Sequence, residues 1–213
     1  MKKARTSRKP GERHSPKLLK GAFGGKARSP IVRTPRLDLV PAGVELARAE
    51  LTGREALEKL LGVAVPDSWP PPLYDRRATS HALERLSSGP DQAGWWTYYL
   101  IRRATSELSA VTVGVSGYKG PPDQSGSVEI GYAILTEYQR AGYATEATLG
   151  LVRHAFSFPT VQMVVAHTLP DHKASIRVLE KCHFVRCGHA ARSSVLRFMI
   201  TRETFEKDFS DLR

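Results

Sequence analysis

The chain has few cysteines and no long apolar run. Cys182 and Cys187 are the only cysteines among its 213 residues, which argues against a disulfide framework and fits a reducing cytoplasm. No apolar run approaches the ~20 residues of a membrane-spanning helix, and the charged N-terminus lacks the apolar segment of a secretory signal. Because 41% of the residues are apolar, the chain can bury one sizeable core. We therefore expect a cytoplasmic protein with one folded domain and no membrane association.

Acidic residues are almost absent from the first 33 positions. Residues 1–33 contain eleven Lys and Arg but only one acid, Glu12, for a net charge of +10, whereas the other 180 residues carry 21 basic and 20 acidic side chains. This segment is also rich in Gly, Ser and Pro, and it is too polar to fold alone. Four interpretations stay open: an arm that contacts RNA, the ribosome or another polyanion, a solvated tail without a partner, extra residues from an upstream start, and a transit peptide. We expect a disordered basic arm over residues 1–33 and a folded domain over residues 34–213.

The folded part alternates between strand-like and helix-like segments. Strands are predicted for RLDLVP, WWTYYLIRR, ELSAVTVGVSGYKG, SVEIGYAIL, VQMVVAHT, FVRC and SVLRFMIT, because these segments are rich in β-branched and aromatic residues. Helices are predicted for AGVELARAELTGREALEKLLG (broken at Gly53), RRATSHALERLSS, residues 142–157 and DHKASIRVLEKC. This order predicts an α/β fold around one central mixed sheet of six to seven strands.

The segment VEIGYAI has large side chains on one face and mostly small ones on the other. Its larger apolar residues alternate onto one face of the predicted strand, whereas Glu129, Gly131 and Ala133 share the other. A glycine inside a strand often marks close approach by a ligand or another backbone. The sequence therefore predicts a carboxylate beside open space on this face.

The next segment, QRAGYATEA at residues 139–147, lies between that strand and a predicted helix. A helix start carries free backbone N–H groups and the positive end of the helix dipole, so it attracts phosphate. Gly142 and Ala144 would let a pyrophosphate approach those groups, and Gln139 and Arg140 would add side-chain donors. A plain turn that opens a helix accounts for this segment equally well.

Three ordered segments together resemble one family. QRAGYA resembles the Q/R-x-x-G-x-G/A signature of the GNAT superfamily of acyl-CoA-dependent N-acetyltransferases, and TPRLDLVPA, GSVEIGYAILTEYQRAGYATEA and AHTLPDHKASIRVLEKCHF resemble the branch related to ribosomal-protein N-terminal (alanine) acetyltransferases. The resemblance covers residues 34–201. It implies the GNAT fold, a twisted mixed sheet with helices on both faces and two splayed parallel strands, here SVEIGYAI and VQMVVAHT.

The resemblance also implies acetyl-CoA as donor and a primary amine as acceptor, joined by direct attack in a ternary complex. The implied cofactor-binding residues are Ile134, Leu135, Gln139, Arg140, Ala141, Gly142, Tyr143, Ala144, Thr145, His172 and Ser175. Of these, the loop amides would hold the pyrophosphate and the backbone of Ile134 and Leu135 would pair with the pantetheine arm. A backbone N–H near Leu135 would stabilise the oxyanion.

Proton transfer falls to a small set of candidates. Glu129 is the first candidate base because the family often has Glu at this strand position, and His167 is the second. Many family members have a Tyr as general acid where this chain has Leu179, so Ser175 is the candidate substitute. His183 occupies the family's usual Gly position, and a left-handed backbone there would cost about 1–2 kcal/mol.

The acceptor amine is not named by the sequence. We expect a protein N-terminal or other peptide amine; the alternatives are a small-molecule amine, such as an antibiotic or amino-acid analogue, and a non-catalytic acyl-CoA-binding protein. A strongly acidic cleft would favour cationic small molecules. We expect no metal, because Cys182, His183, Cys187 and His189 match no zinc-finger spacing, and we expect a monomer or a homodimer.

Overall fold

One eight-stranded sheet forms the centre of the molecule. The computed structural model describes residues 30–189 and 194–209. The strands are β1 (Val32–Arg33), β2 (Leu37–Pro41), β3 (Thr97–Arg102), β4 (Val111–Tyr118), β5 (Ser127–Ile134), β6 (Met163–Thr168), β7 (Val185–His189) and β8 (Leu196–Thr201), in the order β1-β2-β3-β4-β5-β6-β8-β7. β5 and β6 are parallel and the other neighbouring pairs are antiparallel. The predicted α/β class with one mixed sheet is confirmed.

The sheet has one strand more than the predicted six to seven. The extra strand is β1, in which Val32 pairs with Leu39 and Arg33 with Asp38. Two residues are too few to produce a detectable alternation, so the sequence pattern missed this strand. The end of the predicted basic arm thus belongs to the sheet, whereas residues 1–29 lie outside the described residues.

Six helices flank the sheet in the described residues: α1 (Val44–Thr52), α2 (Arg54–Leu61), α3 (Arg76–Ser88), α4 (Tyr143–Phe156), α5 (Lys173–Lys181) and α6 (Arg202–Asp208). The predicted break at Gly53 is confirmed, and α3 has the predicted bounds. Asp75 caps α3 by accepting hydrogen bonds from the amides of Arg77 and Ala78. The sequence did not predict α6, which begins directly after β8 with Thr201 as its cap.

Helices cover both faces of the sheet, as the resemblance implies. On one face α4 and α5 contribute Leu151, Ala155 and Leu179 to the larger apolar core. On the other face α1 and α2 contribute Leu46 and Leu57 to a second core. Within residues 30–189 and 194–209, no helix is both long and apolar enough to cross a bilayer.

The parallel strands β5 and β6 pair over only three residues. Their register runs from Ser127–Met163 to Glu129–Val165 and stops there, so the carboxyl ends of the two strands diverge. Ligands of α/β sheets usually bind at such carboxyl ends. The predicted splay of SVEIGYAI and VQMVVAHT is confirmed, and it positions the site described next.

Candidate active site

A cleft of about 780 Å³ opens where β5 and β6 diverge. Residues of β4, β5, β6, α3 and α5 line it, so it reaches from one face of the sheet to the other. Its floor includes Gly117 and Gly131, which face each other across β4 and β5. A Cβ added to Gly131 would meet nothing within 4 Å. The predicted open space beside Glu129 is therefore this cleft.

The two candidate bases lie together on this side of the sheet. His167 Nδ1 is 3.1 Å from Glu129 Oε1, and Lys119 Nζ donates to the same oxygen. The side chains of Glu129 and His167 are each about three-quarters buried. His167 lines the cleft, and its Nε2 atom makes no hydrogen bond within the described part of the chain. Glu129 thus orients an imidazole whose second nitrogen is available.

The pKa of Glu129 reflects two opposing effects. Burial raises the pKa of this carboxyl, but the hydrogen bonds and positive charges of Lys119 and His167 outweigh burial, so the net pKa is below its ordinary value. A carboxylate with a lowered pKa is a weaker base. This geometry suits Glu129 to positioning His167 more than to taking the proton itself.

The candidate leaving-group residues lie at the α5 side of the cleft. The Tyr132 hydroxyl is 2.9 Å from Ser175 Oγ and also donates to the Ser175 carbonyl at 3.1 Å. Burial raises the pKa of Tyr132 to about 12, so its hydroxyl stays protonated at neutral pH. Leu179 and His172 line the same end of the cleft, with Leu179 almost wholly buried. The sequence pointed to Ser175 but missed Tyr132, whose polar end was not apparent from its place on the apolar face.

The segment before α4 forms a row of free amides. Arg140 and Gly142 both have left-handed backbone, with φ of 63° and 84°, and this turns the chain into the helix start. Within residues 30–189 and 194–209, the backbone N–H groups of residues 140–145 donate to no other backbone group. Consecutive free N–H groups at a helix start form a concave anion site. Ala141, Tyr143, Ala144 and Thr145 therefore have the backbone arrangement that the phosphate-loop prediction requires.

Arg36, in the turn just before β2, braces this loop, and no local sequence pattern pointed to it. Its Nε donates to Glu146 Oε2 at 2.6 Å and its Nη1 to the Ala141 carbonyl at 2.9 Å, while the guanidinium lies 4.7 Å from the Tyr143 ring centroid. Its Nη2 makes no hydrogen bond to any described residue, and it lies 3.3 Å from the point where a Cβ on Gly142 would be. An oriented cation with a free donor therefore borders the row of amides.

Glu146 holds Arg36 in this position. Glu146 Oε1 accepts hydrogen bonds from Thr34 Oγ1 and the Arg36 amide, both at 2.6 Å, and its side chain is only 11% exposed. Burial raises the pKa of Glu146, but these hydrogen bonds and the Arg36 charge outweigh burial, and the net pKa is lowered. Residues separated by more than 100 positions meet here, which explains why no local pattern revealed the contact.

The backbone of Leu135 already makes two hydrogen bonds within the fold. The Leu135 N–H donates to the Val113 carbonyl at 3.0 Å, and the Leu135 carbonyl accepts from Tyr138 at 2.9 Å. Leu135 itself therefore offers no free N–H for an oxyanion, because β4 already occupies this donor, and the expected donor near Leu135 stays a prediction. The Ile134 carbonyl accepts from Gln139 Nε2 at 3.1 Å. A ligand that pairs with the Ile134 carbonyl must share this oxygen with the Gln139 side chain or displace it.

His183 has the left-handed backbone that the sequence comparison anticipated. Its φ is 61°, its Nδ1 lies 2.7 Å from Asp208 Oδ2, and its ring contacts Phe209. These contacts with α6 offset the strain of a non-glycine residue. Among the residues that the structure describes, no group of three or more His, Cys, Asp or Glu is arranged to hold a metal ion.

Comparisons with known proteins agree with this architecture. Residues 46–185, more than half of the chain, match the model of the acetyltransferase (GNAT) domain. The N-acetyltransferase YjdG of Bacillus subtilis (strain 168) is 28% identical over 155 residues, which are 73% of this chain and 89% of YjdG.

Two solved structures share the fold. RimL, a ribosomal L7/L12 α-N-protein acetyltransferase in complex with coenzyme A, has a TM-score of 0.58 at 17% identity, over 82% of this chain and 99% of RimL. The aminoglycoside acetyltransferase AAC(6')-Ib, also in complex with coenzyme A, has a TM-score of 0.54 at 19% identity, over 80% and 98%.

Proposed function

We propose, on the premise that this chain belongs to the GNAT acetyltransferase family and is an N-acetyltransferase, that it transfers acetyl from acetyl-CoA to the α-amine of a peptide. The observation that carries the proposal is the end of β5–β6 pairing at Glu129–Val165. The splay begins at the residue pair beside His167, so a donor lying between the strands would bring its thioester close to the candidate base. An amine attacks a thioester directly, so alignment and proton removal are the main requirements.

The donor site is supported by the loop before α4. The free amides of residues 140–145 and the free Nη2 of Arg36 match the charge and shape of a pyrophosphate. Along β5 and just beyond it, the Glu129 carbonyl accepts from the Lys119 amide and the Leu135 N–H donates to Val113 of β4, so the odd-numbered residues face β4. Alternation then directs the backbone of Tyr132 and Ile134 toward the splay, where a pantetheine arm can pair. Coenzyme A complexes of RimL and AAC(6')-Ib support the same cofactor class.

A peptide α-amine fits the strength of the base. At pH 7 an α-amine loses its proton for about 1 kcal/mol, whereas a lysine amine requires about 4–5 kcal/mol. We propose that His167 takes this proton through Nε2, directly or through one water molecule, and that Glu129 fixes the imidazole through Nδ1. Removing the proton from an α-amine is the less demanding of these two tasks, and it is one that histidines commonly perform as general bases.

The leaving thiolate needs only hydrogen-bond donors. Ser175 Oγ can donate to the sulfur when the Tyr132 hydroxyl turns its single proton from the Ser175 carbonyl, 3.1 Å away, to Ser175 Oγ, 2.9 Å away. The raised pKa of Tyr132 keeps that donor protonated. This pair replaces the tyrosine that many family members carry at the position of Leu179.

The test is release of free CoA thiol with acetyl-CoA and a panel of amines: peptides with a free α-amine, α-blocked peptides with one lysine, and an aminoglycoside. We expect turnover of the free α-amine peptides. His167→Gln should lower kcat/KM by about 10²–10⁴-fold at pH 6.5 and by less at pH 9, where the amine is already neutral, with acetyl-CoA affinity unchanged. Preference for the aminoglycoside would favour the small-molecule alternative, and retained acetyl-CoA binding without any turnover would contradict the proposal.

The location of the protein and the role of its basic N-terminal residues are two further proposals. We propose a cytoplasmic site of action, in keeping with the scarcity of cysteine. We also propose that the basic residues 1–33 strengthen binding to a polyanionic partner such as the ribosome, an effect that should weaken steeply with salt. Comparing the full chain with a chain lacking residues 1–29 in a ribosome co-sedimentation assay at two salt concentrations would check the second.

A further inference from the structure

The described residues that line the cleft include no carboxylate. Among the described residues that line it, the one permanently charged side chain is Lys119, and the other titratable groups include His81, His167 and His172. The acids around the cleft are engaged: Glu129 by Lys119 and His167, Glu50 by the Tyr74 hydroxyl, and Asp75 as the cap of α3. An acceptor with a second positive charge next to its amine would find no unpaired carboxylate among these lining residues, and the charge of Lys119 is itself paired with Glu129.

An exposed leucine stands at the rim of the same cleft. The Leu73 side chain lines the cleft and is 90% exposed. Its backbone is left-handed, with φ of 67°, a conformation that costs about 1–2 kcal/mol for a residue with a Cβ. Strained residues of this kind persist where their neighbours fix them, and they concentrate at ligand sites.

Buried contacts fix the segment that carries Leu73. The Glu50 carboxylate accepts hydrogen bonds from Trp69 Nε1 (3.1 Å), the Tyr74 hydroxyl (3.0 Å) and the Tyr99 hydroxyl (2.8 Å). Trp69 and Tyr74 bracket Leu73 in sequence, so both ends of the segment are tied to α1 and β3 through one carboxylate. The rim leucine is therefore held in place, although its own side chain packs little.

A small side chain and aromatic rings from α3 and the start of β3 form another wall of the cleft. Ala78 and His81 lie three positions apart on α3, so both face the cleft. The His81 ring is 5.3 Å from the Trp96 ring, which lines the cleft as well. Leu73, Ala78 and Trp96 thus form an apolar entrance next to the Gly131 floor.

We infer that this entrance selects the residue that carries the acceptor amine: an apolar side chain contacts Leu73 and Trp96, and a cationic side chain is rejected. The inference rests on the proposed function and adds the substrate class. A hydrophobic contact of this size typically changes kcat/KM by about 10- to 200-fold. We expect a peptide beginning with Leu to exceed one beginning with Arg by at least that lower factor.

The first test uses peptides that differ only in the first residue, Leu, Ala, Asp or Arg, and that contain no lysine. Leu73→Ser should lower kcat/KM for the Leu peptide about tenfold and change the Ala peptide little. Leu108→Ser is the matched control, because Leu108 is also an exposed leucine, at 50%, and is not part of the cleft. Equal losses in both variants, or equal rates for the Leu and Arg peptides, would overturn the inference.

The second test adds the missing charge. Ala78 is exposed on α3 and lines the cleft, so Ala78→Glu places a carboxylate in the wall without disturbing the core. We expect Ala78→Glu to raise kcat/KM for the Arg peptide about tenfold relative to the isosteric Ala78→Gln, because the new carboxylate attracts the Arg side chain of the peptide. No difference between these variants would refute the electrostatic half of the inference.

Binding measurements separate this inference from the proposed function. Calorimetry with each peptide in the presence of CoA reports selectivity without turnover. Tighter binding of the Leu peptide with no acetyl transfer would support the selective entrance and contradict the proposed function. Rapid transfer to the Leu and Arg peptides alike would support the proposed function and overturn the selectivity.

Discussion

Replacing Gly142 with Asp, and separately with Asn, isolates the electrostatic part of donor binding. Gly142 has φ of 84° and precedes the first residue of α4. Asn and Asp are the residues other than Gly that best tolerate this backbone, and they have the same shape. Both substitutions therefore impose the same strain, about 1 kcal/mol or more, and they differ only in a negative charge beside the free amides.

The size of the difference follows from Coulomb's law. Two unit charges 5 Å apart interact by about 3 kcal/mol at an effective dielectric constant of 20 and by less than 1 kcal/mol in bulk water. Because the loop is partly exposed, we take the repulsion between the new carboxylate and each of two phosphate charges as about 1–2 kcal/mol. Arg36 Nη2 lies 3.3 Å from the new Cβ and would neutralise part of the aspartate. We therefore expect Gly142→Asp to bind acetyl-CoA at least about 2 kcal/mol, or about 30-fold, more weakly than Gly142→Asn.

The assay is calorimetric titration of both variants with acetyl-CoA and with acetyl-pantetheine, which lacks the pyrophosphate. The 30-fold difference should appear with acetyl-CoA, shrink as salt is raised and vanish with acetyl-pantetheine. Thermal unfolding of the two free variants provides the folding control. Equal affinities for acetyl-CoA would refute the assignment of this loop to the pyrophosphate, and a difference that persists with acetyl-pantetheine would show that the charge acts elsewhere.

Two further substitutions test the floor of the cleft and the brace of the loop. Gly131→Leu should fold, since a Cβ at this position meets nothing within 4 Å. It should lower kcat/KM about 100-fold because the larger side chain fills the cleft, whereas Gly131→Ala should change kcat/KM little. Similar activity of both variants would place the substrates elsewhere. Glu146→Gln should lower the free energy of unfolding by about 2 kcal/mol at pH 7, because hydrogen bonds to a charged group from Thr34 and Arg36 are weakened. The pKa of Glu146 is lowered on folding, so the stabilisation by this carboxylate is present above its unfolded pKa near 4.5 and is lost as pH falls through its folded pKa. Chemical denaturation at pH 7 and at pH 3.5 should therefore show the difference in free energy of unfolding between wild type and Glu146→Gln becoming smaller at pH 3.5. A difference that stays constant with pH would contradict this origin.

Local patterns predicted most elements well. Gly53 ends α1 and precedes α2, and Asp75 caps α3 at its predicted start, because glycine and a capping carboxylate act on the few residues beside them. The alternation around Glu129 and Gly131 predicted which face of β5 is open. The loop before α4 was predicted from Gly142 and the helix that follows it.

Patterns failed where partners are distant or elements are short. β1 has two residues, and α6 is recognised mainly by its packing, with Phe205 stacked on Phe156 at 5.2 Å. An oxyanion donor was expected near Leu135, and no local pattern showed that the Leu135 N–H itself bonds Val113 of β4. Strand neighbours and their register depend on contacts across the whole sheet, which no window of sequence contains.

The sequence by itself determined the kind of chemistry, and the tertiary structure decided how its parts combine. Three local features were identified from sequence patterns: a glycine before a helix, a carboxylate on the strand face with small residues, and a serine in the next helix. They could be identified because backbone preferences and periodicity depend on neighbouring residues only. The pairing of Glu129 with His167, of Tyr132 with Ser175 and of Arg36 with the phosphate loop joins residues 38 to 110 positions apart. Those pairings exist because β5 and β6 separate after three residues and because the folded sheet brings β2 beside the start of α4.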